Sequence, residues 1–282
     1  MRRKLELTER EVERFAESLR RDEREPGTIE AYLRSLRRFA AWAAGRKLTK
    51  ELLSAWKAEL SGRGYRPESV NAMLAAVNKF FVCMGRPDCK VKYLKVQRRM
   101  FRRAERELTK AEYRRLVETA RACGKDRLAL LMETICATGI RVSEVRYITV
   151  EAVGAGVAQI AMKGKVRTIL LPQKLCRRLV KYAKMKKIAS GEIFLTRDGK
   201  SLSRKCIWTE MKKLCGLAGV AGSKVFPHNL RHVFARTFYQ VCRDVVRLAD
   251  VLGHSSIDTT RIYLLTTGKE YARQLDRLGL LC

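Results

Sequence analysis

Four stretches between Thr8 and Gly85 repeat apolar side chains at helical spacing, and each is bracketed by residues that start or stop helices. Thr8 and Glu11 form a capping-box pair ahead of Val12, Phe15, Ala16 and Leu19. Pro26-Gly27 is expected to break that helix, and Thr28 to cap the next. The second stripe is Ile29, Tyr32, Leu33, Leu36, Phe39 and Ala40, closed by Gly45. Thr49 opens a third stripe of Leu52, Leu53, Trp56 and Leu60, ended by Gly62 and Gly64. Pro67 suits the first turn of a fourth, with Val70, Met73, Leu74, Val77, Phe80 and Phe81. The expected fold for this half is a small bundle of amphipathic helices with the aromatic rings in its core. Arg34, Arg37, Arg38 and Lys79 fall on outer faces, each a solvated charge on its own but together a surface that could lie along phosphates.

From Lys90 to Arg106 the chain reads KVKYLKVQRRMFRRAER, with little apolar stripe and dense positive charge. This is expected to be a linker able to track a phosphate backbone. The domains are therefore placed at 1–103 and 104–282.

The second half mixes helical and strand patterns. Thr109 and Glu112 make another capping box for a helix through about Arg121, and Asp126 to Ala137 forms the next helix. Gly139 stops that helix, and Arg141 follows with Glu144 three residues on, sharing one face of a turn. Alone, that pair is equally a surface ion pair or a phosphate clamp. Val157 to Met162 and the run VRTILLP read as a β-hairpin with Lys163 and Lys165 at its tip. A basic helix follows from Gln173 to about Lys187, then the run IFLT and a helix from Ser203 to Leu217. The glycines of GLAGVAGS follow a helix and open none, so this tract is a loop and not a dinucleotide fingerprint.

The formal charge is +31, from 60 Lys+Arg against 29 Asp+Glu. Self-repulsion on this scale opposes compaction, which points to a polyanionic partner, DNA or RNA. The basic start lacks a following apolar run, and no run is long enough to span a bilayer, so a soluble, cytoplasmic protein without membrane contact is expected. Nine scattered cysteines without a C-x-x-C pair do not suggest zinc, and most are expected to be small buried hydrophobes in a reducing compartment.

All three histidines, His228, His232 and His254, fall between Val225 and Tyr263. His228 and Arg231 are three apart at a helix start, so both can face one anion. His232 points to another side of the turn and reads as structural. Gly253 ends a helix and leaves His254 in the loop beyond it. Tyr263 taken alone would be a core aromatic.

ATGIRVSEV, the K-G-K hairpin, HNLRH and LGHSSIDTTRIY, with Tyr263 nine residues after His254, resemble in order and spacing the tyrosine recombinases, also called phage integrases. The resemblance covers Leu108 onward; the helical bundle matches the family's SAM-like core-binding domain in layout, in a compact, Xer-like two-domain arrangement. It implies a mainly α fold with a small β-sheet, a helical bundle followed by a mixed α/β catalytic domain. It also implies an enzyme that breaks and rejoins double-stranded DNA through a 3′-phosphotyrosine, for integration and excision, resolution or inversion. Tyr263 would be the nucleophile. Arg141 and Arg231 would hold the phosphate oxygens, and His228 and His254 would assist proton transfer. Lys163 would protonate the leaving 5′-oxygen, with Lys165 the other candidate, and Glu144 would orient its basic neighbours. The resemblance further implies a homotetramer on paired sites, its C-terminal tail docking on a neighbour. The tail KEYARQLDRLGLLC, with Tyr271, Leu275, Leu278 and Leu281, fits that role. No cofactor or metal is expected, because the arginines and lysine supply the positive charge and carboxylates do not cluster around these motifs. Two competing readings remain at this level: a non-catalytic DNA-binding regulator on the same scaffold, and a type IB topoisomerase.

Overall fold

The computed structural model describes residues 7–96, 104–162, 165–265 and 268–278. The chain divides into two compact units, Met1–Arg98 and Arg99–Cys282.

The first unit is built from α1 (Glu9–Arg21), α2 (Pro26–Ala43), α3 (Lys50–Gly62) and α4 (Pro67–Cys83). Thr8 with Glu11 and Thr49 cap α1 and α3 as their sequence pattern predicts. The start of α2 differs from expectation. Pro26 occupies its first turn and Glu25 its N-cap, so the proline opens the helix and Thr28 lies inside it. The physical reason is that a first-turn residue needs no N–H donor and proline's φ already suits the helix. Phe15, Phe39, Trp56, Phe80 and Phe81 are fully buried, with Phe39 5.0 Å from Trp56 and Phe15 edge-on to Phe80 at 5.6 Å. These rings form the core of the bundle.

Two asparagines seven residues apart on α4 hold the extended segment that follows it. Asn78 exchanges a pair of hydrogen bonds with the amide and carbonyl of Val91, both at 3.0 Å. Asn71 does the same with Leu94, at 2.9 and 2.8 Å. The side-chain amides thus stand in for a neighbouring β-strand. Replacing Asn78 by Ala would leave buried Val91 with both backbone groups unpartnered, which should lower stability by about 2–4 kcal/mol. Thermal unfolding measures this, and an unchanged midpoint would show that the pairing contributes nothing.

The second unit contains α5 (Lys110–Ala122), α6 (Asp126–Thr138), a 3-10 turn (Val142–Tyr147), α7 (Val150–Ala155), β1 (Val157–Met162), β2 (Lys165–Leu170), α8 (Gln173–Met185) and α9 (Arg204–Lys212). It continues through α10 (Pro227–Cys242), α11 (Val245–Leu252), α12 (Ile257–Arg261) and α13 (Gly268–Asp276). The central helix α6 buries Leu128, Leu131, Met132 and Ile135 and packs against α5, α8 and α10. The strands β1 and β2 form an antiparallel hairpin in which Val157 pairs with Leu170 and Met162 with Lys165. The run IFLT buries Ile193 and Phe194 and is flanked by two isolated bridges, Thr149 to Glu192 and Leu195 to Ser201. One expectation is corrected. Helix α9 ends at Lys212 instead of Leu217, because the segment turns through Gly216 and Gly219 and leaves Leu217 in solvent. A second, smaller cluster of Ala235, Leu248, Leu252 and Tyr263 joins α10, α11 and the end of α12. Among the described residues no helix is long and apolar enough to cross a membrane.

Candidate active site

Gly139 ends α6 in the left-handed conformation at φ +67°, and a Cβ there would collide with the Phe234 ring on α10. Both conditions require glycine. This close approach lets the chain turn at once into Arg141, beside the start of α10. The Arg141 amide and guanidinium both donate to Glu144, at 2.7 and 2.8 Å. Glu144 is 2 % exposed, whereas the Arg141 side chain is 42 % exposed and lies on the wall of a cavity. Burial alone would raise the Glu144 pKa; the Arg141 hydrogen bonds and the charges of Arg167 and Arg141 outweigh it, and the net shift is downward.

Arg231, on α10, is almost wholly buried. It donates to Gly139 O at 2.5 Å, to Leu252 O at 2.7 Å and to His254 Nε2 at 3.0 Å. Burial lowers its pKa, and the adjacent Tyr263 phenol offsets part of that shift. A guanidinium carries five N–H groups and only donates, so Arg231 keeps further donors for a ligand. The same rule sets the His254 tautomer. Nε2 accepts from Arg231, so Nδ1 carries the proton and donates to Thr260 Oγ1 at 2.8 Å. Tyr263 is 4 % exposed, its ring stacked on His254 with centroids 5.8 Å apart and 4.5 Å from the ring of His232.

Arg141, His228, Arg231, His254 and Tyr263 therefore converge on one cavity of roughly 940 Å³. Glu144 lies beneath its wall. Lys163 lies outside the described residues, and Lys165 is the first residue of β2. His232 is absent from the cavity wall but edge-on to His228 at 4.7 Å, behind Tyr263. Sequence reasoning missed the wall opposite, which α9 supplies as Arg204, Lys205 and the exposed Trp208. It also missed Arg167, which pairs with Glu144. A signal for Arg167 existed: it alternates with Ile169 on the inward face of β2, while Val166 and Leu170 point to solvent.

All the histidines are held toward their neutral form. Burial, then His228, Arg236 and Arg231, pushes His232 down to about 3, and burial with Arg231, Arg141 and Arg167 pushes His254 down to about 4. His228 is open to solvent on one side but shifts the same way, through crowding on its other faces and the charges of Arg231 and Arg141. Each folded pKa lies below the unfolded value of 6.5, so the unfolded chain binds more protons as pH falls. The stability from this source is complete above pH 6.5 and is lost as pH drops toward 4 and then 3. Thermal midpoints should therefore fall steadily on acidification below pH 6.5; a flat profile down to pH 4.5 would show that the imidazoles are free to charge.

A buried guanidinium, a second one at the rim, neutral imidazoles and a phenol around one opening suit a phosphodiester whose oxygens gain charge during substitution at phosphorus.

Known proteins resemble this chain in sequence and in fold. The model described as the phage integrase family matches residues 106–269, and that of the phage integrase N-terminal SAM-like domain matches residues 12–86. The chain is 28% identical to tyrosine recombinase XerA of Pyrococcus furiosus, over 96% of this chain and 94% of that protein. It is 30% identical to tyrosine recombinase XerC of Roseiflexus castenholzii, over 90% and 88%. Its fold matches a lambda integrase tetramer bound to a Holliday junction with a TM-score of 0.71 at 17% identity, covering 90% of this chain and 76% of that one.

Proposed function

The chain belongs to the phage integrase family, and we propose that it acts through Tyr263: it is a site-specific DNA recombinase, an enzyme that breaks and rejoins DNA strands. The observation that carries the role of Tyr263 is its position beside Arg231 and His254 on the cavity that Arg141 also lines. The phenol oxygen forms a bond to the scissile phosphorus as the bond from phosphorus to the 5′-oxygen breaks, giving a 3′-phosphotyrosine and a free 5′-hydroxyl. A free phenol has a pKa of about 10, so it attacks at neutral pH only with cations or a proton acceptor at hand. Arg231 and Arg141 hold the non-bridging oxygens, and His228 hydrogen-bonds the phosphate; His254 Nε2, once Arg231 turns its N–H to the phosphate, is free to take the phenol proton and pass it on. Lys163 delivers a proton to the leaving 5′-oxygen. Reversal with a new 5′-hydroxyl rejoins the strand, and the phosphotyrosine bond keeps the energy required. Retention of Arg141, His228, Arg231, His254 and Tyr263 around one cavity supports an enzyme over a regulator that only binds.

The partner is double-stranded DNA, as the charge of +31 supports, and the working assembly is a homotetramer on paired sites in the cytoplasm. Helix α13 exposes Tyr271 and Leu275, and the turn after it exposes Leu278, an apolar set suited to docking on a neighbouring copy; Leu281 lies outside the described residues.

The test starts by selecting bound duplexes from a random pool. A nick is then placed in the selected site so that cleavage releases a short fragment and traps the adduct on a denaturing gel. Binding without an adduct would favour the regulator. Relaxation of arbitrary supercoiled DNA without recombinant products would favour the topoisomerase. Binding should weaken by about 10³–10⁵ between 50 and 200 mM salt if about 6–10 phosphates are contacted.

A further inference from the structure

The C-terminus of α11 is finished in an unusual way. The Ala249 and Asp250 carbonyls are satisfied by the amides of His254 and Gly253. The next three carbonyls each meet a different arginine. Arg167 Nη1 donates to Val251 O at 3.2 Å, Arg231 Nη2 to Leu252 O at 2.7 Å, and Arg141 Nη2 to Gly253 O at 3.4 Å. A helix C-terminus carries partial negative charge, which favours the gathering of three cations that would otherwise repel.

Arg141 and Arg231 line the cavity; Arg167 does not. Its Nη2 instead binds the Glu144 oxygen Oε2, while Oε1 takes the guanidinium of Arg141. Arg167 also lies flat against Gly253. A Cβ there would stand 2.6 Å from its Cδ and 2.7 Å from its Nη1, at a φ of +63°. Its Nε is buried with no hydrogen-bond partner among the described residues, a cost that a side chain selected for stability alone would tend to avoid.

We propose that Arg167 is a positioning residue for strand cleavage, holding Glu144 and the α11 C-terminus so that Arg141 and Arg231 keep their forks on one phosphate. This rests on the recombinase reading above. With Arg167 gone, Glu144 is left to Arg141 alone, and the carboxylate pivots and draws that fork off the cavity. The Val251–Gly253 turn loses one of its tethers, and His254 moves with it.

The test uses the full chain on the nicked duplex described above, at saturating DNA. Arg167→Ala should lower the cleavage rate by about 100-fold while DNA affinity changes by less than about three-fold, because misplacement by about an ångström acts on the transition state more than on binding. Millimolar methylguanidinium should restore cleavage in Arg167→Ala by filling the vacated arm, whereas a folding defect would be left as it was, since guanidinium at this concentration hardly alters stability. Gly253→Ala should also slow cleavage by displacing Arg167, and should cost far less when added to Arg167→Ala, since the clash is then gone. The proposal is overturned if Arg167→Ala cleaves within about three-fold of the unaltered protein, or if its loss only tracks the unfolded fraction and methylguanidinium does not relieve it. An unaltered protein that forms no adduct removes the recombinase reading itself, and an adduct that survives Tyr263→Phe removes the role of Tyr263; these outcomes are read before Arg167 is tested.

Discussion

Tyr263→Phe should abolish the covalent protein–DNA adduct while the protein still folds and still binds its site. The tyrosine ring is packed with Ala235, Leu248 and Leu252 and lies against the rings of His232 and His254. Phenylalanine keeps all of that surface. What disappears is the phenol oxygen, the one atom that can bond to phosphorus. Loss of a nucleophile in covalent catalysis costs on the order of 10⁶ in rate, so the adduct should fall below detection on a denaturing gel. Affinity and its salt dependence come from lysines and arginines spread over the DNA-facing surface, and should stay as they were. An adduct of normal yield from the Phe variant would mean that another side chain attacks, and the role of Tyr263 would be withdrawn.

Arg231→Lys is the second large effect. Lysine keeps the positive charge but replaces a planar fork by a point charge with three donors. Arg231 now spans Gly139 O, Leu252 O and His254 Nε2 at once, and an ammonium cannot reach all of them and still address a phosphate. Cleavage at saturating DNA should fall by about 10²–10³, the range for losing one preorganised donor to a developing oxyanion. The His254 tautomer would lose its determinant as well. Arg141→Lys should be milder, because Arg141 is partly exposed and its guanidinium is held by Glu144 and, at 3.4 Å, by Gly253 O. Arg231→Ala is the less clean variant. It leaves the Gly139 and Leu252 carbonyls buried without that donor, at about 1–3 kcal/mol each, so a lost rate would be mixed with lost stability. Cleavage by Arg231→Lys close to the unaltered rate would mean that the fork is a structural staple and another cation stabilises the phosphate.

Much of this site could be read from residue order. Capping residues at Thr8, Thr49 and Thr109 act over three residues, and they cap helices in the structure as they do in the pattern. Gly139 and Gly253 mark helix ends because a left-handed residue is needed there, which is again a local demand. The start of α2 at Pro26 and the end of α9 at Lys212 were harder, since proline and glycine each allow more than one local outcome and packing chooses among them. Arg167 was missed for a related reason. Its strand shows Val166 and Leu170 to solvent and turns Arg167 inward with Ile169; the alternation puts those two on one face, but which face is inward was decided by packing.

The sequence alone determined the helices, the hairpin, the basic charge and the list of residues able to handle a phosphodiester, because those depend on neighbours within a turn or two of chain. Only the tertiary structure decided that Arg141, Arg167 and Arg231 meet consecutive carbonyls at the end of α11. The same is true of the Tyr263 ring, packed in a small core beside Arg231. Contacts between segments 21 to 112 residues apart follow from how cores fill and how buried carbonyls find donors, and no local pattern carries that information.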